Sequence, residues 1–400
     1  MSGSIGGACE SKFAAVKEEF ERNFAERGEV GASVCLSVNG ETQVDLWGGM
    51  ANPETGDVWR EETISIVFSC SKAATALCAH ILIDRGELNP EALVADYWPE
   101  FAKNGKEKTT VRMMLNHESA LPTLRDPVRP GGFEDWDYMI KRLEDEEAFW
   151  EPGTRNGYHM INFGWTVGEL VRRVSGKSLG TFFREEVADK TGARFWLGLP
   201  ETEDVHIAPI IPYAPKPDDV PTEFAIKLMT DPDSLQHKSF MNNGGWDFNN
   251  RVSQAAEIGG GGGLSNARGQ VAMYTPLATD DGTLVSSDRL KAMSMVTTAT
   301  QRDATLLVPT RFGPGFMKSM DNRALNLGPG TSVIMGEQAF GHVGAGGSIG
   351  FADPEIGLAF SYTMNQMGSG ILVNDRAQSL IDAAYRALGY RTNAPGVWVT

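Results

Sequence analysis

Two short runs near the N-terminus constrain the fold more than any other feature of the chain. Residues 34–38 and 42–47 are strand-like and flank Asn39-Gly40. A two-residue loop between strands needs positive φ at both central positions, and Asn-Gly supplies it at little cost. The pattern predicts an antiparallel hairpin, so a sheet starts near the N-terminus. The C-terminal end carries the same kind of signal. Residues 348–352 and 358–364 read as strands joined by Asp353-Pro354-Glu355. A helix follows, with Asn374 as N-cap, Leu380, Ile381, Ala384 and Leu388 as its apolar stripe, and Gly389 as its stop.

The middle differs. From about Pro90 to Asn250 helical periods are broken by long loops. One helix is predicted over 161–174, stopping at Gly176, and another over 179–188. Residues 209–221 hold five prolines and must be irregular. Strands at both ends with helices between predict an α+β fold, an α/β sandwich. Its antiparallel sheet is built from both termini and flanked by helices, with an inserted all-helical domain. The expected division is 1–90 with 251–400 as sheet domain and 91–250 as mainly helical insert. The active site is expected at their junction, where such sites are common.

Composition narrows the function. The chain has 400 residues and is 41% hydrophobic, enough for one large domain or two joined ones. No apolar run is long enough to span a bilayer. The first residues lack a basic region followed by an apolar stretch, so no secretory signal is read and a cytoplasmic protein is expected. A net charge of -16 repels phosphate backbones and excludes nucleic-acid and anionic-membrane partners. The acidic run Glu144–Glu147 reads as a solvated helix face. Cys9, Cys35, Cys70 and Cys78 form no C-x-x-C pair. Cys70 and Cys78 fall on one predicted helix, two turns apart, too far for a disulfide. Reduced thiols fit the cytoplasm. The six histidines are scattered, with no H-E-x-x-H pair, so neither metal nor cofactor is expected. The five-glycine run Gly259–Gly263 lacks the Gly-Lys-Ser/Thr of a phosphate loop. Nothing in the sequence sets an oligomeric state.

The chemistry centres on Ser69-Cys70-Ser71-Lys72. It follows the apolar run 64–68 and opens a helix carrying Ala73, Ala74, Leu77, Cys78, Ile81 and Leu82 to a stop at Gly86. Ser69 therefore sits at a helix start, with Lys72 three residues on along the same face. A serine hydroxyl is inert until a base takes its proton. Lysine can do so if burial lowers its pKa. The helix N-terminus favours the oxyanion that forms on attack. A chain this long holds about one S-x-x-K by chance, and the bland alternative is an N-cap serine with a surface lysine. Placement between an apolar strand and an apolar helix favours the chemical reading. Cys70 has no histidine nearby and reads as packing. Ser265 lies in Gly263-Leu264-Ser265-Asn266-Ala267, where Ala267 replaces the last glycine of a nucleophile elbow, so Ser265 is rejected.

Two further elements complete the set. Pro152-Gly153-Thr154-Arg155-Asn156-Gly157-Tyr158 precedes the helix with Asn162, Trp165, Val167 and Leu170. Tyr158 could be core filler; beside Ser69 and Lys72 it becomes a candidate base, its phenolate supported by the lysine cation. Gly341-His342-Val343-Gly344-Ala345-Gly346-Gly347-Ser348 leads into a strand, and its glycines allow close backbone approach to a ligand.

Ser69-x-x-Lys72, the Pro-Gly-Thr-x-x-x-Tyr158 segment and His342-x-Gly344 occur in that order. Together they resemble the class C β-lactamase and penicillin-binding-protein superfamily, above all its family VIII carboxylesterases. The resemblance spans nearly the whole chain, including Tyr97–Phe101, Thr110–His117, Gly261–Leu264 and Gly350–Pro354. It implies that Ser69 is acylated, that Lys72 and Tyr158 exchange the proton and then activate water, and that the N–H groups of Ser69 and Ala345 hold the oxyanion. The chain departs from the lactamase pattern at two places. Met160 stands where an asparagine is usual, and His342-Val343-Gly344 replaces Lys-Thr-Gly. A mostly neutral histidine and a valine grip a carboxylate poorly, and Met160 cannot donate to an amide. The expectation is a small-molecule ester substrate with a short, neutral acyl chain, contacted by Met160, His342, Val343 and Gly344. His117-Glu118-Ser119-Ala120 also departs from the usual His-Thr-Ser-Gly and reads as structural. The alternatives on the same site are a β-lactamase, a D-amino-acid peptidase or amide hydrolase, and an acyl transferase. A non-catalytic binding protein would have had no need to keep serine, lysine and tyrosine together.

Overall fold

A computed structural model describes residues 5–217 and 219–400. In chain order its strands are β1 (Gly6–Cys9), β2 (Gly31–Val38), β3 (Glu41–Asn52), β4 (Asp57–Val58), β5 (Ser65–Phe68), β6 (Phe195–Trp196) and β7 (Gly263–Ser265). Then come β8 (Thr298–Thr300), β9 (Thr310–Gly313), β10 (Phe316–Met317), β11 (Phe340–Val343), β12 (Ile349–Asp353) and β13 (Leu358–Met364). The large sheet has the order β1-β3-β2-β13-β12-β11-β10-β9-β8, with β4 paired to β3. Its pairings are antiparallel, and β2 from the N-terminal hairpin lies directly against β13 from the C-terminal one. The first hairpin turns through Asn39 at φ 49° and Gly40 at φ 84°, as the dipeptide predicts.

Side chains alternate across this sheet with the period of two that a strand imposes. Val34, Leu36, Phe351, Phe360 and Tyr362 share one buried cluster with Phe13, Val16, Phe20, Leu380 and Ile381. They thus face the helices Ala14–Glu26 and Asp375–Ala387. Cys35, Ala352 and Ala359 point the other way, into a cluster with Val271 and Tyr274 of the helix Ala267–Thr279. With both faces covered, β2 and β13 are buried almost throughout. This is the expected sandwich.

The second cluster runs on without a break into the helical region, through Leu77, Leu82, Trp98, Leu115, Leu143, Trp165 and Leu170. The helix Phe163–Ser175 ends on Gly176 at φ 70°, a left-handed cap. The helix expected over 179–188 is Leu179–Phe183 continued by a π-helical turn, Arg184–Ala188. The insert, expected to be all-helical, also contributes β6, which pairs with β7 beside β5 in a three-stranded sheet. An otherwise open β7 edge has buried amide groups to satisfy, and β6 supplies the partners. Among the described residues, no helix is long and apolar enough to cross a membrane.

Candidate active site

Strand β5 ends in a strained turn. Phe68 adopts φ 45°, a conformation costly for an aromatic residue. Ser71, wholly buried, holds it there: its hydroxyl donates to the Phe68 carbonyl at 2.5 Å and accepts the Gly263 N–H at 2.8 Å. The turn leaves Ser69 at the head of the helix Ser71–Asp84.

Lys72 lies on the first turn of that helix and is fully buried. Its Nζ sits 2.9 Å from Ser69 Oγ and 2.5 Å from each of the carbonyl oxygens of Met160 and Gly260. Burial pushes its pKa well below the ordinary lysine value. A neutral amine has two N–H bonds and one lone pair. In the deprotonated form the two carbonyls would take both N–H bonds and leave the lone pair for Ser69 Oγ. The Gly260 carbonyl reaches Lys72 because the glycine segment lies flat on the helix behind it. A Cβ on Gly164 would come within 2.1 Å of the Gly260 nitrogen.

Tyr158 is buried with its ring over Lys72, 4.9 Å from Nζ. Its backbone N–H donates to both carboxylate oxygens of buried Asp303, each at 3.0 Å. Its ring stacks on Phe312 at 6.0 Å and packs against His117 at 4.9 Å. Burial raises the phenol pKa, and the Ser69 hydroxyl works in the other direction. The same dry environment disfavours both members of the phenolate–ammonium pair expected from sequence, pushing the amine pKa down and the phenol pKa up.

The third element turns tightly beside β5. A Cβ on Gly344 would lie 2.3 Å from the Val67 carbonyl oxygen, so the turn rests on the strand that leads to Ser69. No acceptor among the described residues takes the N–H of Ser69 or of Ala345. Both amides are free for an oxyanion.

His342 is buried, 1% exposed, with its ring centroid 5.9 Å from that of Tyr158. Its Nδ1 is 2.7 Å from the Val343 carbonyl oxygen, and its Nε2 has no partner. Burial drives its pKa down to about 3, so the ring is neutral. It packs beside Tyr158 and is buried, where the sequence reading expected it to contact substrate. Val343 is also buried. Met160, singled out for its side chain, contributes its carbonyl to Lys72.

Several contributors were not read from the sequence. Asp303 anchors Tyr158 from 145 residues away, with no local signal. His117 was read as structural. It adopts φ 61°, touches Tyr158 and accepts the His159 N–H on Nδ1 at 3.1 Å. Ser119 and His159 Nε2 lie 2.7 Å apart behind it. The rejected nucleophiles are accounted for. The Ser265 hydroxyl donates to the Arg194 carbonyl at 2.8 Å, and the buried Cys70 thiol, its pKa pushed up by desolvation, donates to the His342 carbonyl.

The Beta-lactamase family model matches residues 18–384. The chain belongs to the β-lactamase family. It is 30% identical to the "Esterase/beta-lactamase LipL" of Mycobacterium tuberculosis, over 93% of this chain and 86% of that protein. A family VIII carboxylesterase structure superposes with a TM-score of 0.83 at 36% identity, covering 96% of this chain and all of the other. A penicillin-binding-protein homologue from Caulobacter crescentus superposes at 0.84 with 32% identity, covering 96% and 100%. This β-lactamase-family chain is thus a serine hydrolase on a mixed sandwich with a large antiparallel sheet.

Proposed function

We propose that this enzyme cleaves carboxylic esters with short, uncharged acyl groups through an acyl-enzyme on Ser69. The observation that carries the reading is the Lys72 amine, 2.9 Å from Ser69 Oγ with its two remaining directions taken by carbonyls. In the first half-reaction Lys72 takes the Ser69 proton as Oγ attacks the ester carbonyl carbon. The Ser69 and Ala345 amides receive the oxyanion. Collapse breaks the ester bond, and the leaving alkoxide takes a proton from Tyr158, which Lys72 restores. Water then attacks the acyl-enzyme with its proton passing to the same pair, releasing the acid and free Ser69.

Ester preference rests on the third element. Buried, neutral His342 and apolar Val343 offer no cation to a substrate carboxylate. A charge-assisted hydrogen bond to that group is worth about 1.5–3 kcal/mol, or roughly ten- to a hundredfold. The similarity to a family VIII carboxylesterase supports the same choice. We further propose a cytoplasmic setting, supported by four unpaired thiols, and a site at the junction of the 91–250 insert with the sheet.

The test is a hydrolysis panel of p-nitrophenyl esters, nitrocefin and D-alanyl amides, with a p-nitrophenyl phosphonate to mark the nucleophile. The expected result is a Ser69 adduct and a kcat/KM for p-nitrophenyl acetate far above that for nitrocefin. Equal efficiency on nitrocefin would make the enzyme a lactamase with an unusual carboxylate site, and an adduct elsewhere would overturn the mechanism.

A further inference from the structure

The amide of Ala345 must point into the cleft to serve an oxyanion, and no contact of its own holds it there. Its direction is set by the peptide it shares with the Gly344 carbonyl. A trans peptide points its C=O and N–H opposite ways. The Gly344 carbonyl accepts the Gly347 N–H at 3.1 Å inside the turn, so the Ala345 N–H faces outward. The Gly344 N–H is tied to the Ser348 carbonyl at 2.7 Å. The far corner of the turn is its weak point, because Gly346 at φ 84° and Gly347 at φ 118° occupy backbone conformations with little intrinsic preference to hold them.

That corner is gripped by residues that follow β13 in the chain. The Gly346 carbonyl accepts two N–H bonds, from Gly368 at 2.9 Å and from the Asn374 side-chain amide at 2.9 Å. Asn374 is at the same time the N-cap of the helix Asp375–Ala387, its Oδ1 accepting the Arg376 N–H at 3.2 Å. A Cβ on Gly347 would lie 2.5 Å from Asn374 Nδ2, so side chain and turn are in direct contact. One side chain therefore uses its acceptor to start a helix and its donor to hold the turn.

We propose that Asn374 is a positioning residue for the oxyanion amide of Ala345, acting through the Gly346 carbonyl. The assignment rests on the esterase reading of the site. It separates two roles that substitution can pull apart. Asp and Ser cap helices as well as Asn does, but an aspartate only accepts, and a serine hydroxyl stands at the Asn Cγ position, one bond short of the Nδ2 that reaches Gly346. In N374D and N374S the helix start is kept and the grip on Gly346 is lost.

Rates are to be measured per active site titrated by the phosphonate. Both variants are expected to lose about tenfold or more in kcat with little change in KM, as befits an interaction made in the transition state. Ala345→Pro is the reference, since it deletes the amide itself. Gly344 at φ -111° and ψ 152° already has the conformation that precedes proline. A345P is expected to lose roughly a hundred- to a thousandfold in kcat. Adding N374S to A345P is expected to slow it by less than about twofold, because the group being positioned is gone. Wild-type kcat in N374D and N374S, a lowered melting temperature without a loss of kcat per site, or full multiplication of the two losses overturns the assignment. A phosphonate adduct away from Ser69 in the wild type overturns the esterase reading instead.

Discussion

At the residue scale the site is a problem of proton placement in a dry environment. Lys72 and Tyr158 are both buried, and desolvation pushes the amine pKa down and the phenol pKa up. On the proposed mechanism the lowered amine pKa suits Lys72 to receive the Ser69 proton, and the raised phenol pKa suits Tyr158 to protonate the leaving group. Lys72→Ala and Tyr158→Phe are each expected to lower kcat by roughly two orders of magnitude or more, the usual scale for general acid–base catalysis. The double variant should be barely slower than the worse single one, since the two side chains act on one proton. Steady-state rates on p-nitrophenyl acetate decide it, and fully additive losses would contradict a shared relay.

At the element scale, the site depends on how closely backbones approach. The helix Phe163–Ser175 meets the glycine run at Gly164, where an added Cβ would be 2.1 Å from the Gly260 nitrogen and 2.6 Å from the Gly259 carbonyl carbon. Neither obstacle is a flexible side-chain end, so helix and glycine run must separate if Gly164 is enlarged. Gly164→Ala is expected to destabilise by about 1–3 kcal/mol, the range for overpacking. It should also lower kcat, because the Gly260 carbonyl moves off Lys72. Thermal unfolding and ester hydrolysis measured on the same preparation test this; an unchanged kcat in a destabilised variant would detach the glycine run from catalysis. The same scale explains Ser71, whose single hydroxyl joins the strained end of β5 to β7.

Across the whole molecule, burial also governs groups with no part in the chemistry. His80 is buried on the helix Ser71–Asp84, stacked on Phe316 at 5.7 Å and 2.7 Å from the Pro314 carbonyl oxygen. Desolvation lowers its pKa from 6.5 to about 3. Between these values the unfolded chain binds a proton that the folded chain does not. Its contribution to stability is therefore fully present above about pH 6.5 and is lost as the pH falls towards 3, by at most about 1.4 kcal/mol per pH unit. His80→Gln keeps a donor for the Pro314 carbonyl and removes the titration. The fall in Tm between pH 6.5 and 4 should be shallower in H80Q than in the wild type. Parallel curves would show that His80 does not titrate on unfolding in this window.

Features that depend on a few neighbouring residues are legible along the chain. Asn39-Gly40 set the hairpin, Asn374 and Gly176 marked helix ends, and the three-residue interval from Ser69 to Lys72 put amine and hydroxyl within 2.9 Å. Dihedral preference, capping and helical spacing are local, so they can be read along the chain. Only the tertiary structure decided which carbonyls receive the Lys72 amine, 88 and 188 residues further on. It alone set Asp303 and His117 against Tyr158, and turned the donor of a helix cap onto the oxyanion turn. It also set the direction in which the pKa values of Lys72, Tyr158 and His342 move, because a pKa follows the solvent removed by the whole fold and not the residue's own neighbours in sequence.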